Sequence, residues 1–221
     1  MDYPGEISDI LFTQGCNFQC PYCHNPDLIS RKPASRRDFL DDNVFKDSIL
    51  KRENYIDAIV ITGGEPLLQK DIISFIEWIK EATNLKVKLD TNGSMPGKLY
   101  KLLDMDLIDY VAVDIKLPLD RLDEVKFYEN PGYILKTIHH ILKKRIDYEF
   151  RTTVVPNMHT YTDMKKITKY IDGAKKYVIQ NFNNTRCLDK SLEDLKGFTD
   201  KELNHFKKIA EKYVDNVEIR N

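Results

Sequence analysis

The stretch AIVITGGEP, residues 58–66, joins a run of apolar and β-branched residues to a glycine pair, a glutamate and a proline. A continuous apolar run of this length is typical of a strand buried on both faces of a parallel sheet. Proline suits the first turn of a helix, so the stretch predicts a strand, a turn and the start of a helix. Parallel α/β folds are built from this unit.

The same alternation recurs along the chain. Apolar runs predict strands at 7–12, 58–62, 87–90, 110–115, 148–155 and 177–181, with a weaker candidate at 216–219. Segments of helical period lie between them, including 44–55 and 95–103. A complete eight-unit barrel needs roughly 250 residues, so about six β/α units predict a single α/β domain, a partial (β/α)6 TIM-like barrel with a parallel sheet. A flat doubly wound sheet satisfies the same periodicity.

Composition excludes several classes of protein. The chain has 34 basic and 35 acidic residues, which argues against a protein that coats nucleic acid. No apolar run is long enough for a transmembrane helix, and the first residues lack the features of a secretory signal. We therefore expect a cytoplasmic protein that binds neither nucleic acid nor a membrane and keeps its cysteines reduced.

Three of the four cysteines, Cys16, Cys20 and Cys23, lie close together, whereas Cys187 stands alone. Three thiolates on one short loop can bind three irons of a cubic cluster and leave the fourth iron open, which is a catalytic feature. A structural zinc ion needs four ligands, often as two separated pairs, and the chain has no second pair. We expect Cys187 to be structural or a free thiol.

Polar and small residues follow the predicted strands. Among them are Gly63, Gly64, Glu65, Asp90, Thr91, Asp114, Lys116 and Asn181. Such residues also terminate strands and cap helices for purely structural reasons. In parallel α/β folds, however, the carboxyl ends of the strands build the active site, so we expect these residues to meet the cysteine loop at one rim.

The C-x3-C-x2-C spacing of residues 16–23, followed by a strand that ends in Gly-Gly-Glu-Pro, resembles the radical S-adenosylmethionine (radical SAM) superfamily. Residues 2–5, 12–17 and 20–26 narrow the resemblance to activating enzymes of glycyl radical enzymes. The sequence most resembles the type that activates anaerobic ribonucleoside-triphosphate reductase, and it is also similar to pyruvate formate-lyase activating enzyme. The resemblance implies one radical SAM domain over residues 1–221, with its cluster loop at residues 14–25.

The resemblance also implies a reaction. Cys16, Cys20 and Cys23 would ligate a [4Fe–4S] cluster whose open iron is chelated by SAM. An electron from a low-potential ferredoxin or flavodoxin would cleave SAM to a 5′-deoxyadenosyl radical. This radical would abstract hydrogen from a glycine of a partner glycyl radical enzyme, namely anaerobic ribonucleotide reductase. The alternatives are another glycyl radical enzyme such as pyruvate formate-lyase, a small-molecule substrate, or a zinc-binding interaction module.

Individual roles follow from the same resemblance. The implied cofactor-binding residues are Tyr22, Gly63, Gly64, Glu65, Asp90, Asp114, Lys116 and Asn181. Within this set the Gly-Gly-Glu turn meets the SAM amino group, Tyr22 meets adenine, and Lys116 is the candidate partner of the SAM carboxylate. Asn181 is assigned to the ribose. A monovalent cation is implied at Asp90, Thr91 and Asp114.

Overall fold

Strands and α-helices alternate along the part of the chain that the structure describes, residues 2–30, 42–127 and 129–221 of this computed structural model. The strands are β1 Ser8–Thr13, β2 Ala58–Gly63, β3 Lys86–Thr91, β4 Tyr110–Asp114, β5 Asp147–Val154, β6 Ala174–Asn181 and β7 Val214–Arg220. The helices are α1 Asp42–Arg52, α2 Ile72–Ala82, α3 Pro96–Asp104, α4 Gly132–Lys143, α5 Tyr161–Tyr170 and α6 Asp200–Ala210. This alternation agrees with the sequence prediction.

All seven strands form one parallel sheet in which the spatial order equals the chain order from β1 to β7. A doubly wound sheet reverses its order at a switch point, so the continuous order rules out that alternative. Among the described residues β1 and β7 do not pair with each other, which leaves an open barrel with two edge strands. The predicted partial (β/α)6 barrel is confirmed, and the weak seventh candidate is β7.

The outer face of the sheet is apolar and packs under the helices. Ile61 of β2 and Leu89 of β3 are fully buried, as are Ile76 and Ile79 of α2. Burying a side chain of this size contributes roughly 1.5–3 kcal/mol, so this layer holds the helices against the strands. No helix in the described ranges is both long and apolar enough to cross a membrane.

The inner face of the barrel carries charged side chains from β3 to β7. Glu149 of β5 is 1% exposed, and its Oε2 accepts a hydrogen bond from Arg220 Nη2 of β7 at 2.8 Å. Lys88 of β3 is equally buried and pairs with Asp90. Buried charges require such partners. The sequence predicts β3 and β7 shorter than they are, because charged residues near their ends, such as Lys86, Asp215 and Arg220, break the apolar pattern.

Candidate functional site

A cavity of about 220 Å³ lies at the carboxyl ends of the strands, against the cluster loop. The predicted residues that line it are Cys16, Cys20, Tyr22, Cys23, Gly63, Gly64, Asp90, Thr91, Asp114 and Lys116. They come from the cluster loop and from the ends of β2, β3 and β4, so the rim predicted from the sequence exists. Glu65 and Asn181 do not line the cavity.

The cluster loop is held by backbone hydrogen bonds at several points. Cys16 N donates to Ile29 O at 3.0 Å, and Gln19 N donates to Val125 O at 2.8 Å. Val125 lies in the connection after β4. The cluster loop is therefore bonded both to the residues that directly follow it and to a segment distant in the sequence. These contacts hold the cysteines in place without any contribution from the thiols.

All four cysteines are free thiols, and three of them face the cavity. Burial raises the pKa of Cys16 to about 11 and that of Cys20 to about 12, which favours the protonated thiols. A bound metal replaces such protons, because the thiolate is the ligand. Within the described residues no three His, Cys, Asp or Glu side chains converge as the ligands of a single ion would. Cysteine thiolates are also the ligands of iron–sulfur clusters, so the three thiols of this loop could hold such a cluster.

The glycine pair at the end of β2 allows the cluster loop to pack closely against this strand end. Gly63 has a φ of +116°, and a Cβ there would lie 2.4 Å from Thr13 N. A Cβ on Gly64 would lie 2.1 Å from Gly15 O. Across this gap Gly64 N donates to Thr13 O at 2.9 Å, and Glu65 N donates to Gly15 O at 2.8 Å. The pair is therefore required for packing, whatever it contacts in a ligand.

The Glu65 carboxylate is fully buried and is used within the protein. Its Oε1 accepts from Leu67 N at 3.1 Å and from Thr91 Oγ1 at 2.8 Å, and its Oε2 accepts from Asn92 N at 2.7 Å. Burial raises the pKa of Glu65 to about 7, against the opposing effect of these three donors. The structure therefore does not bring this carboxylate to the cavity. It ties the turn after β2 to the turn after β3.

Two carboxylates at the cavity share one guanidinium. Arg151 of β5 lies 2.8 Å (Nε) from Asp114 Oδ1 and 3.1 Å from Asp90 Oδ2. Lys116 Nζ lies 3.2 Å from Asp114, and Lys88 contacts Asp90. Burial alone would raise the pKa of Asp114, but Arg151 and Lys116 hold it below its ordinary value. Arg151 has no role in the sequence prediction, although an arginine within a predicted strand can signal an inward ion pair.

Asn181, the residue predicted to meet the ribose, is engaged elsewhere. Its Nδ2 donates to Phe198 O at 3.0 Å, and its Oδ1 accepts from Phe198 N at 2.9 Å. Both ends of the amide therefore hold the segment that precedes α6. An asparagine at a strand end suits a ligand and a neighbouring loop equally well, and only the fold distinguishes the two.

Hydrogen bonds between side chains also join the cluster loop to the end of β3, and the sequence did not predict them. Asn92 Nδ2 donates to Asn17 Oδ1 at 2.9 Å, and Asn17 Nδ2 donates to Ser94 Oγ at 2.9 Å. Asn92 and Ser94 are buried beside the end of β3. The three side chains join the cluster loop to that strand end, and the C-x3-C spacing gives no sign of them.

Cys187 lies outside the cavity and is fully buried. Its segment covers part of the cluster loop, since Asp189 N donates to Pro21 O at 2.8 Å. His24 Nε2 lies 2.8 Å from Asn183 O of the same segment. Cys187 is thus a free and fully buried thiol, and its role, structural or that of a free thiol, stays a prediction.

An open parallel barrel with three free thiols and strand-end carboxylates around one cavity has the layout of a cofactor-dependent α/β enzyme. The family model of the radical SAM superfamily matches residues 10–171. The chain belongs to the radical SAM superfamily and is an enzyme. Membership implies SAM and, in general, an iron–sulfur cluster.

Two similar proteins carry the names of activating enzymes. A Methanocaldococcus jannaschii protein with the provisional name glycyl-radical enzyme activating enzyme is 37% identical over 100% of this chain and 91% of that protein. The pyruvate formate-lyase-activating enzyme of Staphylococcus aureus is 33% identical over 76% of this chain and 59% of that enzyme.

Solved structures share the fold. Streptococcus suis SuiB bound to S-adenosylmethionine has a TM-score of 0.70 at 13% identity, over 99% of this chain and 50% of SuiB. Native anSMEcpe with bound AdoMet has a TM-score of 0.65 at 18% identity, over 93% of this chain and 60% of that protein. The chain therefore spans about half the length of SuiB, and at these identities the likeness concerns the fold alone.

Proposed function

We propose that residues 1–221 form one radical SAM domain that activates a glycyl radical enzyme by taking hydrogen from one of its glycines. The observation that carries the proposal is the cavity where three free thiols of one loop meet Asp90, Asp114 and Lys116. The 37% identity to a relative named as an activating enzyme, over the whole chain, supports the choice of reaction.

The three thiols would hold a [4Fe–4S] cluster, with SAM beside it. When bound, the cluster supplies the electron that cleaves SAM, and SAM supplies the group that takes the hydrogen. Lys116 lies in the cavity with a pKa that Asp114 raises against the effect of burial, so it offers a positive charge to the SAM carboxylate.

The remaining contacts to SAM are assigned by asking which side chains already form hydrogen bonds within the protein. The carbonyls of Gly63 and Gly64 face the SAM amino group in this proposal, because the Glu65 carboxylate already accepts three internal hydrogen bonds. Tyr22, which is buried beside the cysteines, meets adenine. Asn181 is a weaker candidate for the ribose, since Phe198 engages its amide.

The side chains implied as cation ligands, Asp90, Thr91 and Asp114, already have partners within the protein. The Thr91 hydroxyl donates to Glu65, and Arg151 contacts both aspartates. These contacts do not fit an additional cation, and the site stays a prediction. SAM cleavage measured in potassium and in tetramethylammonium salts tests it directly.

The proposed partner is anaerobic ribonucleotide reductase, and the proposed electron donor is a low-potential ferredoxin or flavodoxin. The open side of the barrel between β1 and β7 suits a protein loop as substrate, because no strand closes it among the described residues. Pyruvate formate-lyase is the next candidate, on the similarity to its activating enzyme.

The test combines anaerobically reconstituted enzyme, reductant, SAM and each candidate partner. We expect 5′-deoxyadenosine to form and the reductase to gain a glycyl radical signal in electron paramagnetic resonance. The matched control is Cys16→Ala, which removes one cluster ligand. A colourless protein that binds only zinc would refute the cluster, and lack of 5′-deoxyadenosine with every reductant would refute the radical reaction. If 5′-deoxyadenosine forms but no partner gains a glycyl radical signal, the activase function is refuted and a small-molecule substrate is the remaining hypothesis.

A further inference from the structure

His159 lies in the loop between β5 and α5 and is 4% exposed, so both ring nitrogens need partners within the protein. Val155 N lies 3.1 Å from Nδ1, and Lys116 O lies 2.9 Å from Nε2. A backbone N–H can only donate and a carbonyl can only accept, so Nδ1 accepts and Nε2 carries the proton. The ring is therefore neutral and fixed in one tautomer. Burial lowers the pKa of His159 in the same sense.

The carbonyl that His159 holds belongs to a residue of the cavity. The Lys116 ammonium lines the cavity 3.2 Å from Asp114. The same Lys116 carbonyl accepts the Tyr22 hydroxyl at 3.4 Å, and the rings of Tyr22 and His159 meet edge to face with centroids 6.3 Å apart. One carbonyl thus joins the exit of β4, the cluster loop and the loop after β5.

The loop that carries His159 is itself well anchored. His159 N donates to Val155 O at 2.9 Å, which closes the turn after β5. The next residue, Thr160, caps α5 through a capping box in which Asp163 N donates to Thr160 Oγ1 at 3.2 Å. A ring mounted on a closed turn and a capped helix has little freedom to move, so it can hold another segment in place.

We propose that His159 is a positioning residue that fixes the backbone of Lys116 and the ring of Tyr22 so that both face SAM. This rests on the proposed function, because it takes Lys116 and Tyr22 as the residues that contact SAM. His159 does not line the cavity, so it acts through its neighbours and not on the ligand.

A merely structural role would use the other nitrogen. In that case His159 would act mainly through its contact with Val155, which stabilises the turn after β5. The two roles separate because asparagine reaches the position of Nδ1, whereas glutamine reaches that of Nε2. His159→Asn keeps the Val155 contact and loses the Lys116 contact, and His159→Gln does the reverse. Each variant keeps one hydrogen bond, so the two form a matched pair for stability.

The affinity for SAM is measured by equilibrium dialysis with reconstituted, oxidised enzyme, so that no turnover occurs. We expect the dissociation constant to rise about tenfold in His159→Asn, as loss of one buried hydrogen bond predicts, and to stay within about twofold in His159→Gln. Iron content and urea unfolding show that both variants fold and hold the cluster.

Equal affinity in both variants would overturn the proposal, and so would weaker binding in His159→Gln than in His159→Asn. If His159→Asn does not fold, a tenfold loss of affinity in His159→Gln alone would also overturn it. Wild-type enzyme that holds the cluster but does not bind SAM would refute the proposed function, and the role of His159 with it. Wild-type binding with unchanged variants would refute only the role of His159.

Discussion

Replacement of Gly64 by alanine is expected to dislodge the cluster loop. The new Cβ would lie 2.1 Å from Gly15 O and 2.6 Å from Gly15 C, and both are backbone atoms. Restoring normal contact moves that backbone by about 1 Å and breaks the hydrogen bond from Glu65 N to Gly15 O. Overpacking costs about 1–3 kcal/mol and the lost hydrogen bond about 1 kcal/mol. We expect the free energy of unfolding to fall by about 3 kcal/mol, a large share of the total for a typical domain.

Urea unfolding of the metal-free protein under anaerobic conditions measures this loss, and iron content after reconstitution measures its effect on the site. We expect poor iron binding in Gly64→Ala, because Cys16 follows the displaced Gly15. Gly97→Ala is the matched control: it makes the same chemical change in the first turn of α3, where nothing lies within 4 Å of the new Cβ. It should bind a full cluster and gain about 0.5 kcal/mol. A Gly64→Ala protein within about 1 kcal/mol of wild type and with full iron would refute the reasoning.

Three further predictions concern the thiols and the charges of the cavity. Alanine at any one cysteine that faces the cavity should abolish stable cluster binding, whereas Cys187→Ala should retain it. Iron and sulfide analysis measures the bound cluster. Loss of the cluster in Cys187→Ala would contradict this prediction. Arg151→Met leaves Asp90 and Asp114 without their shared guanidinium and should cost about 3–5 kcal/mol in urea unfolding, with Arg151→Lys losing less; equal losses would argue against the charge as the cause. The pKa of Asp114 lies below its ordinary 3.8, so its ion pairs stabilise the fold above that pH and are lost as the pH falls. The stability difference between wild type and Asp114→Asn should therefore shrink below about pH 4, and a constant difference would contradict the assignment.

The alternation of strands and helices could be predicted because periodicity is a property of neighbours along the chain. The same periodicity suits a flat sheet and an open barrel, so the sequence left both open. The parallel order from β1 to β7 decided for the barrel. Strand ends were less predictable where they carry charges, as at Lys86 and Arg220, since their partners Glu6 and Glu149 lie far away in the chain.

The rim of the site could be predicted because the carboxyl ends of parallel strands meet at one edge. This logic brought Asp90, Asp114 and Lys116 to the cysteines. It could not show that the Glu65 carboxylate and the Asn181 amide are engaged by backbone groups inside the protein. A carboxylate or an amide suits a ligand and an internal donor equally well.

The sequence by itself determined the chemistry that is available: three thiols on one loop, a glycine pair, and strand-end carboxylates beside a lysine. The tertiary structure alone decided which of these groups remain free for a ligand. Arg151 and Asp90 are 61 positions apart in the chain and 3.1 Å apart in space, and His159 and Lys116 are 43 positions apart and 2.9 Å apart. Spacing along the chain carries no record of such pairs, because the partner of a buried polar group is set by how the whole sheet folds.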